Sequence, residues 1–217
     1  MDDNFIQENK VYNLDAITFL ECMYEDFGDE SIEMFLTDFP YTFKGKNRVT
    51  ANKWDLPVNI DRFFELTLKM LTPNGVIALT ASQPFASYLV YNHLDCFKYE
   101  WIWRKTKASN FQLAKYNPMK LHENILVFYK KTPTYNQQNL VTGNFYNSRK
   151  SGKQMTHLAH FNPEYVSKGK NYNKSILEFN SVHKPFHPTQ KPVELFEYLI
   201  KTYTNEGNTV VDVCAGS

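Results

Sequence analysis

The tetrapeptide Asp38-Phe39-Pro40-Tyr41 combines residue types that could bind an amino group on an aromatic ring. It directly follows the short apolar run 32–37, which predicts a buried strand. Ligands of α/β sheets bind at the carboxyl ends of strands, so the tetrapeptide is expected to face a pocket. Asp38 and the backbone carbonyls beside Pro40 would accept hydrogen bonds from the amine, and Tyr41 would stack on the ring. The alternative is a turn that ends the strand, with the tyrosine in the core.

Two further motifs near the carboxyl terminus could bind a charged ligand. The first, residues 187–192, brings a hydroxyl, an amide and an ammonium group to the start of a predicted helix, where a carboxylate would be held well. These groups belong to Thr189, Gln190 and Lys191. The second, residues 212–217 (Asp-Val-Cys-Ala-Gly-Ser), follows a predicted strand, and its small residues would let a cofactor approach the backbone closely. The alternatives are a proline-bounded helix start and a coincidental run of small residues.

The composition is that of a globular protein, but the charges are unevenly distributed. The 217 residues are 42% hydrophobic and 22% charged, with a formal net charge of +1. Residues 1–97 carry a net charge of −8 and residues 192–217 carry −3. Residues 98–191 contain 16 Lys/Arg against 4 Asp/Glu, a net charge of +12. Interleaved with aromatic and amide side chains, this excess predicts a surface that binds a polyanion; the alternative is a solvated lysine-rich insertion.

Several classes of protein are disfavoured. The most apolar stretch, residues 75–91, is interrupted by polar residues and a proline, so it predicts no membrane-spanning helix. The amino terminus is acidic and no small-residue cleavage site follows it, which argues against secretion. The three cysteines are far apart and fit neither a disulfide framework nor a zinc site, so they predict a reducing cytoplasm. The histidines between residues 157 and 187 lack the spacing of metal ligands.

The hydrophobic pattern predicts alternating strands and helices. Strands are predicted near residues 32–37, 76–81, 99–104, 125–129 and 209–213. Helices are predicted over about 60–71, over 84–93 and from Pro192 onward, with a turn at 73–75. This order predicts an α/β fold with a largely parallel sheet covered by helices on both faces. Residues 132–182 show no sustained periodicity and are predicted to form a loop-rich insertion.

Together and in this order, the motifs resemble the β-type S-adenosylmethionine-dependent DNA amino-methyltransferases, many of which come from phages and prophages. In that family the catalytic motif, Asp/Asn/Ser-Pro-Pro-Tyr/Phe/Trp, comes first and the cofactor motif last. Residues 38–41 match three of its four positions, with Phe39 in place of the first proline. Further similarity runs through 52–55, 76–85, 99–104, 122–128 and 187–192. The resemblance covers nearly the whole chain, and residues 132–182 are the least similar part.

The resemblance implies a seven-stranded Rossmann-like sheet and a target base that is flipped out of the DNA duplex. Asp38 and the carbonyl of Phe39 would accept the two N–H bonds of the exocyclic amine. Pro40 would stiffen the motif, and Tyr41 would stack on the base. An aspartate at the first position favours adenine N6 as the methylated atom over cytosine N4.

The resemblance also implies the binding residues. Thr189 and Lys191 would hold the methionine end of S-adenosylmethionine, and Asp212 and Gly216 would lie beneath the cofactor. Five basic residues would contact the phosphates of double-stranded DNA: Arg104, Lys105, Lys107, Lys115 and Lys120. The chain would then divide into a catalytic α/β half (1–131), a target-recognition insertion (132–182) and the start of a cofactor-binding half (183–217).

At its carboxyl end the sequence departs from the family pattern. A second glycine, a helix and further strands are expected after Ser217, so one expectation is a truncated enzyme with strand 209–213 at a sheet edge. Completion by a second polypeptide is another expectation, and a homodimer is a further candidate assembly. The alternative functions are an inactive DNA-binding remnant and a cytosine-N4 methyltransferase. A nicotinamide-dependent Rossmann enzyme is disfavoured because no G-x-G-x-x-G follows a strand.

Overall fold

The computed structural model describes residues 5–42, 57–138, 141–146, 168–187 and 189–216. The chain forms two compact units, Met1–Asn136 with Ser175–Ser217, and Gln137–Lys174. The segment 52–55, which carries part of the family resemblance, lies outside the described residues, as do His157 and His160.

The first unit is built on a six-stranded sheet. Its strands are β1 (Ile32–Thr37), β2 (Leu71–Ala81), β3 (Phe97–Ser109), β4 (Lys120–Phe128), β7 (Ile176–Phe179) and β8 (Val210–Val211). Their spatial order is β7-β3-β4-β2-β1-β8. β1 pairs in parallel with β2 and β8, and β3 pairs in parallel with β7, whereas β4 is antiparallel to β2 and β3. Only β4 therefore runs against the others, and the largely parallel α/β sheet predicted from the sequence is confirmed.

Four helices cover the two faces of this sheet: α1 (Ala16–Phe27), α2 (Ile60–Met70), α3 (Phe85–Asn92) and α4 (Val193–Tyr203). The first three contribute to one apolar cluster, in which Leu20, Phe63 and Leu89 are fully buried. The fourth contributes Leu195 and Leu199 to a second cluster. Helix α1 was not predicted from the sequence; its first turn is capped by Asp15, which accepts hydrogen bonds from two backbone N–H groups. Within the described residues, no helix is long and apolar enough to cross a membrane.

Three details of the sheet differ from the sequence-based expectation. The turn predicted at 73–75 lies inside β2, where Ile32 of β1 pairs with Leu71 and Met34 pairs with Val76, so β2 carries extra residues at this point. β8 has two residues where a strand over 209–213 was predicted, although it does lie at an edge of the sheet as expected. β7, at the other edge, was not predicted. The resemblance implies seven strands, and the described residues place six in this sheet. Four-residue and two-residue strands are too short to show a periodic pattern.

The second unit contains a two-stranded antiparallel sheet. Its strands are β5 (Val141–Tyr146) and β6 (Lys168–Asn171). The predicted domain limits at 131/132 and 182/183 stay predictions; β7, which lies within the predicted insertion, pairs with β3 in the first unit.

Candidate active site

Asp38 lies at the carboxyl end of the parallel strands, because it follows the last residue of β1. Its Oδ1 accepts hydrogen bonds from the hydroxyl of Tyr41, at 3.1 Å, and from the hydroxyl of Thr80 on β2. Its Oδ2 accepts from Nζ of Lys191, at 2.6 Å. The fold thus brings the motif 38–41 together with Lys191 of the motif 187–192, which is 153 positions away from Asp38 along the chain.

Phe39, which replaces a proline of the family motif, has its ring in the core. The side chain is 2% exposed and packs perpendicular to the ring of Phe63 on α2, with 4.8 Å between the ring centroids. The next residue, Pro40, accepts a hydrogen bond on its carbonyl from the N–H of Thr42, at 2.8 Å. Since the ring of Phe39 is buried on the α2 side, it is only the backbone of this residue that can face an amine beside Asp38.

Tyr41 links the catalytic motif to a second carboxylate. Its ring packs against Phe85 of α3, with 5.8 Å between the centroids and 27° between the planes. Its hydroxyl lies 3.1 Å from Oδ1 of Asp38 and 3.3 Å from Oε2 of Glu123. Burial, reinforced by these two carboxylates, raises the pKa of Tyr41 well above its ordinary value, so the phenol remains a neutral donor.

Glu123 on β4 is a site residue that the sequence analysis did not single out. It is 8% exposed, which is rare for a glutamate without partners. Its Oε1 accepts from Nζ of Lys105, and its Oε2 lies 3.4 Å from Nζ of Lys191. Burial alone would raise the pKa of Glu123, but the charges of Lys191 and Lys105 outweigh it, and the pKa is lowered. The available signal was a lone acid at the start of an apolar strand, within the segment 122–128.

Asp212 provides a third carboxylate at the carboxyl ends of the parallel strands. It follows β8, the parallel neighbour of β1, so Asp212 and Asp38 both lie at carboxyl ends of adjacent strands, as the sequence predicts. Its Oδ1 accepts from the N–H of Cys214 at 2.9 Å. Burial is the main cause that raises the pKa of Asp212 to about 6, and the charge of Asp38 adds to it. A half-buried carboxylate close to the charge of Asp38 is well suited to bind a cation or hydroxyl donors.

Two of the other three predicted cofactor residues are exposed. Thr189 lies in the loop before α4, and its hydroxyl is hydrogen-bonded to Nδ1 of His187 at 2.9 Å. Gly216 has a φ of +76°, a backbone conformation in which residues with a Cβ are strained. Lys191, predicted to hold the same cofactor end as Thr189, contacts Asp38 and Glu123, and its cofactor contact stays a prediction.

Comparisons with known proteins identify the family of the chain. The N6/N4 methyltransferase family, described as DNA methylase, matches residues 32–217. The chain belongs to this family of DNA methylases. It is 29% identical over 209 residues to the type II methyltransferase M.HpaI of Haemophilus parainfluenzae, an alignment that covers 87% of this chain and 59% of M.HpaI. The chain therefore spans about three fifths of the length of this curated relative.

Two of the similar solved structures share the fold of this chain. The structure of the M1.HpyAVI–SAM complex matches with a TM-score of 0.56 and 19% identity, covering 94% of this chain and 81% of that one. The cytosine-N4-specific PvuII DNA methyltransferase matches with a TM-score of 0.61 and 17% identity, covering 93% and 72%. The Rossmann-like methyltransferase fold is thereby confirmed. Truncation and a phage origin stay predictions.

The five basic residues predicted to bind DNA lie along the β3–β4 hairpin. Lys107 and Lys115 are exposed, near the end of β3 and in the hairpin turn. Arg104 pairs with Glu178 of β7 at 2.7 Å, and both side chains are more than half exposed. Lys120 is half-buried, and burial lowers its pKa. Lys105 is 15% exposed and faces Glu123, so of the five it is the least available to a phosphate.

Proposed function

We propose that the protein transfers a methyl group from S-adenosylmethionine to the exocyclic N6 amine of adenine in double-stranded DNA. The observation that carries this proposal is the carboxylate of Asp38, which already accepts three hydrogen bonds at the end of β1 and stands beside an aromatic ring. Membership of the N6/N4 family supports the reaction class. The aspartate at the first motif position, by the resemblance described above, favours adenine over cytosine.

In this proposal the work of the chain is to position and polarise the amine. Asp38 and the backbone carbonyl of Phe39 accept its two N–H bonds, which draws the nitrogen lone pair out of conjugation with the ring. Tyr41 stacks on the flipped base and fixes the direction of the nitrogen. The nitrogen gains a methyl group and loses one proton. Asp38 is the neighbouring carboxylate that can accept this proton.

The residues around β8 suit S-adenosylmethionine as the cofactor. The bound cofactor supplies an electrophilic methyl group on a cationic sulfur, together with an ammonium group and ribose hydroxyls. Asp212 is a half-buried carboxylate that gains from a cation or a hydroxyl donor, and Asp38 lies at the end of the neighbouring strand. The solved complex of the similar protein M1.HpyAVI with SAM supports the choice of cofactor. Thr189, Lys191 and Gly216 stay predicted cofactor contacts.

Double-stranded DNA is the proposed partner, and the base of the β3–β4 hairpin lies near the site. β3 runs in the same direction as β1, so the end of β3 and the start of β4 lie on the same side of the sheet as the carboxyl end of β1, where Asp38 is. Lys107 and Lys115 are the exposed cations of this hairpin that we propose for phosphate binding. A cytoplasmic location, which the unpaired cysteines favour, completes the proposal.

The experiment is a methylation assay with the protein expressed from its complete reading frame. DNA of mixed sequence is incubated with S-adenosylmethionine, digested to nucleosides and analysed by mass spectrometry. We expect N6-methyladenine, and a rate lower by roughly 100-fold or more in Asp38→Ala, because no side-chain acceptor then polarises the amine. Asp29→Ala, at an exposed position before β1, is the control and should keep the wild-type rate.

Three outcomes would contradict the proposal. N4-methylcytosine as the product would overturn the base assignment and favour the specificity of the PvuII enzyme. Unmodified DNA that is nevertheless bound would overturn the activity and favour a DNA-binding remnant. An unchanged rate in Asp38→Ala would overturn the role given to this carboxylate.

A further inference from the structure

Two donors bridge the carboxylates of Asp38 and Glu123. The ammonium of Lys191 lies 2.6 Å from Oδ2 of Asp38 and 3.4 Å from Oε2 of Glu123. The hydroxyl of Tyr41 lies 3.1 Å from Oδ1 of Asp38 and 3.3 Å from the same Oε2 of Glu123. The carboxylates come from the end of β1 and from β4, with β2 between them. One ammonium is therefore shared between two carboxylates, and it lies nearer to Asp38.

The shared ammonium occupies the position that a substrate amine needs. The amine must donate to Asp38, whose oxygens already accept from Tyr41, Thr80 and Lys191. The bond from Lys191 joins two full charges and is the strongest kind of the three. Lys191 also lies over the ring of Tyr41, 5.7 Å from its centroid, where the base would stack. Oδ2 keeps one further lone pair, but the ammonium lies against this oxygen and over the ring, so the amine binds Oδ2 well only when Lys191 moves away.

Glu123 gives Lys191 a second place to bind without exposing its charge to water. The side chain of Lys191 is 11% exposed, so an ammonium displaced from Asp38 would be poorly solvated unless another anion received it. Oε1 of Glu123 is held by Lys105, whose ammonium also lies 5.1 Å from the centroid of Trp103. Oε2 of Glu123 faces Lys191. A short movement of Nζ exchanges one ion pair for another.

We propose that Glu123 is a positioning residue that draws Lys191 off Asp38 when the target base enters the site. This inference rests on the proposed function, because it assigns to Glu123 a part in the same reaction. Glu123 does not touch the base; it acts by moving a cation that competes with the base for Asp38. Without the charge of Glu123, Lys191 stays on Asp38 and the amine competes poorly.

The test compares Glu123→Gln with Glu100→Gln, which changes an exposed carboxylate that accepts a hydrogen bond from Asn124, the neighbour of Glu123 on β4. We expect kcat of Glu123→Gln to fall roughly 10- to 100-fold, the effect of one charge-assisted bond. The KM for DNA should stay within about twofold, because phosphate contacts dominate affinity. Glu100→Gln leaves Glu123 and Lys191 in place and should keep kcat within about threefold. A purely structural role for Glu123 instead predicts that Glu123→Asp, which keeps the charge, loses as much activity as Glu123→Gln.

Base entry can also be measured without methyl transfer, from the fluorescence of 2-aminopurine placed at the target adenine. Fluorescence should rise on binding of the wild type and Glu100→Gln, and rise less with Glu123→Gln. Glu123→Asp, which keeps the charge, should restore most of the signal. If Glu123→Gln does not fold, Lys191→Met is compared with Glu123→Gln/Lys191→Met. The second substitution should then add no further loss, because no ammonium remains to be moved.

The outcomes separate this inference from the function on which it rests. Equal losses in Glu123→Gln and Glu123→Asp would overturn the positioning role, and so would full activity of Glu123→Gln. A further loss in the double variant relative to Lys191→Met would overturn it as well. In each of these cases wild-type methylation would leave the proposed function standing. An inactive wild type would instead overturn the proposed function.

Discussion

Asp212 is held in a state that costs stability in the absence of a ligand. Burial is the largest cause of its raised pKa of about 6, against an ordinary value of 3.8, and the charge of Asp38 raises it further. Hydrogen bonds from the N–H of Cys214 and from Thr37 compensate only in part. A carboxylate that is unfavourable in the folded protein can bind a cationic ligand strongly, because the ligand relieves the same repulsion.

The pH dependence of stability should therefore change in Asp212→Asn. Between about pH 3.8 and 6 the folded protein holds a proton on Asp212 that the unfolded chain has released, so this residue lowers stability as the pH rises. Above pH 6 the penalty is complete, up to about 3 kcal/mol. Asp212→Asn should raise the free energy of unfolding by that amount at pH 7 and leave it unchanged below pH 3.8.

Urea unfolding at several pH values measures this difference. Glu206→Gln, at an exposed position in the turn before β8, is the control and should show no such dependence. A destabilised Asp212→Asn at pH 7 would mean that the hydrogen bonds to the carboxylate outweigh its burial.

At the scale of elements, the position of Asp38 depends on how closely β1 and β2 approach each other. Gly75 lies where β2 carries its extra residues. A Cβ at this position would be 2.8 Å from the side chain of Leu71 and 2.9 Å from the carbonyl oxygen of Glu33 on β1. A side chain can rotate away, but the backbone oxygen can move only with β1. The strand that ends at Asp38 therefore fits against β2 because residue 75 has no side chain.

Gly75→Ala should accordingly lower the free energy of unfolding by about 1–3 kcal/mol, the usual cost of overpacking. Thermal or urea unfolding measures the change. Thr72→Ala, in the same strand at a partly exposed position, is the control and should cost less than about 1 kcal/mol. Wild-type stability in Gly75→Ala would mean that β1 shifts without loss of pairing.

At the scale of the whole molecule, the uneven charge distribution has a measurable consequence for DNA binding. Residues 98–191 carry a net charge of +12, but several of these cations have partners in the structure. Arg104 faces Glu178, and Lys105 and Lys191 face Glu123. Paired cations contribute less to the attraction of phosphates, so exposed lysines such as Lys107 and Lys115 are expected to carry much of it.

The affinity for double-stranded DNA should fall steeply between roughly 50 and 200 mM salt, because each neutralised phosphate releases counterions. Lys107→Gln should reduce the slope of log K against log salt by about one. Lys98→Gln, an exposed lysine at the opposite end of β3, should leave the slope unchanged. Fluorescence anisotropy with a labelled duplex gives both slopes. Salt-independent binding would contradict the role given to the basic residues.

The sequence alone predicted most of the elements and the place of the first motif. Apolar periodicity is a local property, so it predicted α2, α3 and α4 close to their observed limits. The apolar parts of the longer strands were predicted too, but β2 and β4 begin five residues earlier than predicted and β3 ends five residues later. The rule that site residues follow strands correctly placed Asp38 and Asp212 at carboxyl ends. α1, the short strand β7 and the extra residues in β2 were missed, because helix capping by Asp15 and edge pairing leave little periodic signal.

Only the tertiary structure decided which charges meet. Glu123, Lys105 and Lys191 looked like separate surface charges in sequence, and two of them were predicted to bind DNA or cofactor. Folding places β4 between β3 and β2 and brings the loop before α4 to the end of β1. Lys191 therefore contacts both Asp38 and Glu123, and Lys105 contacts Glu123. The physical reason is that an ion pair depends on distance and burial, and both are set by contacts between residues that are far apart along the chain.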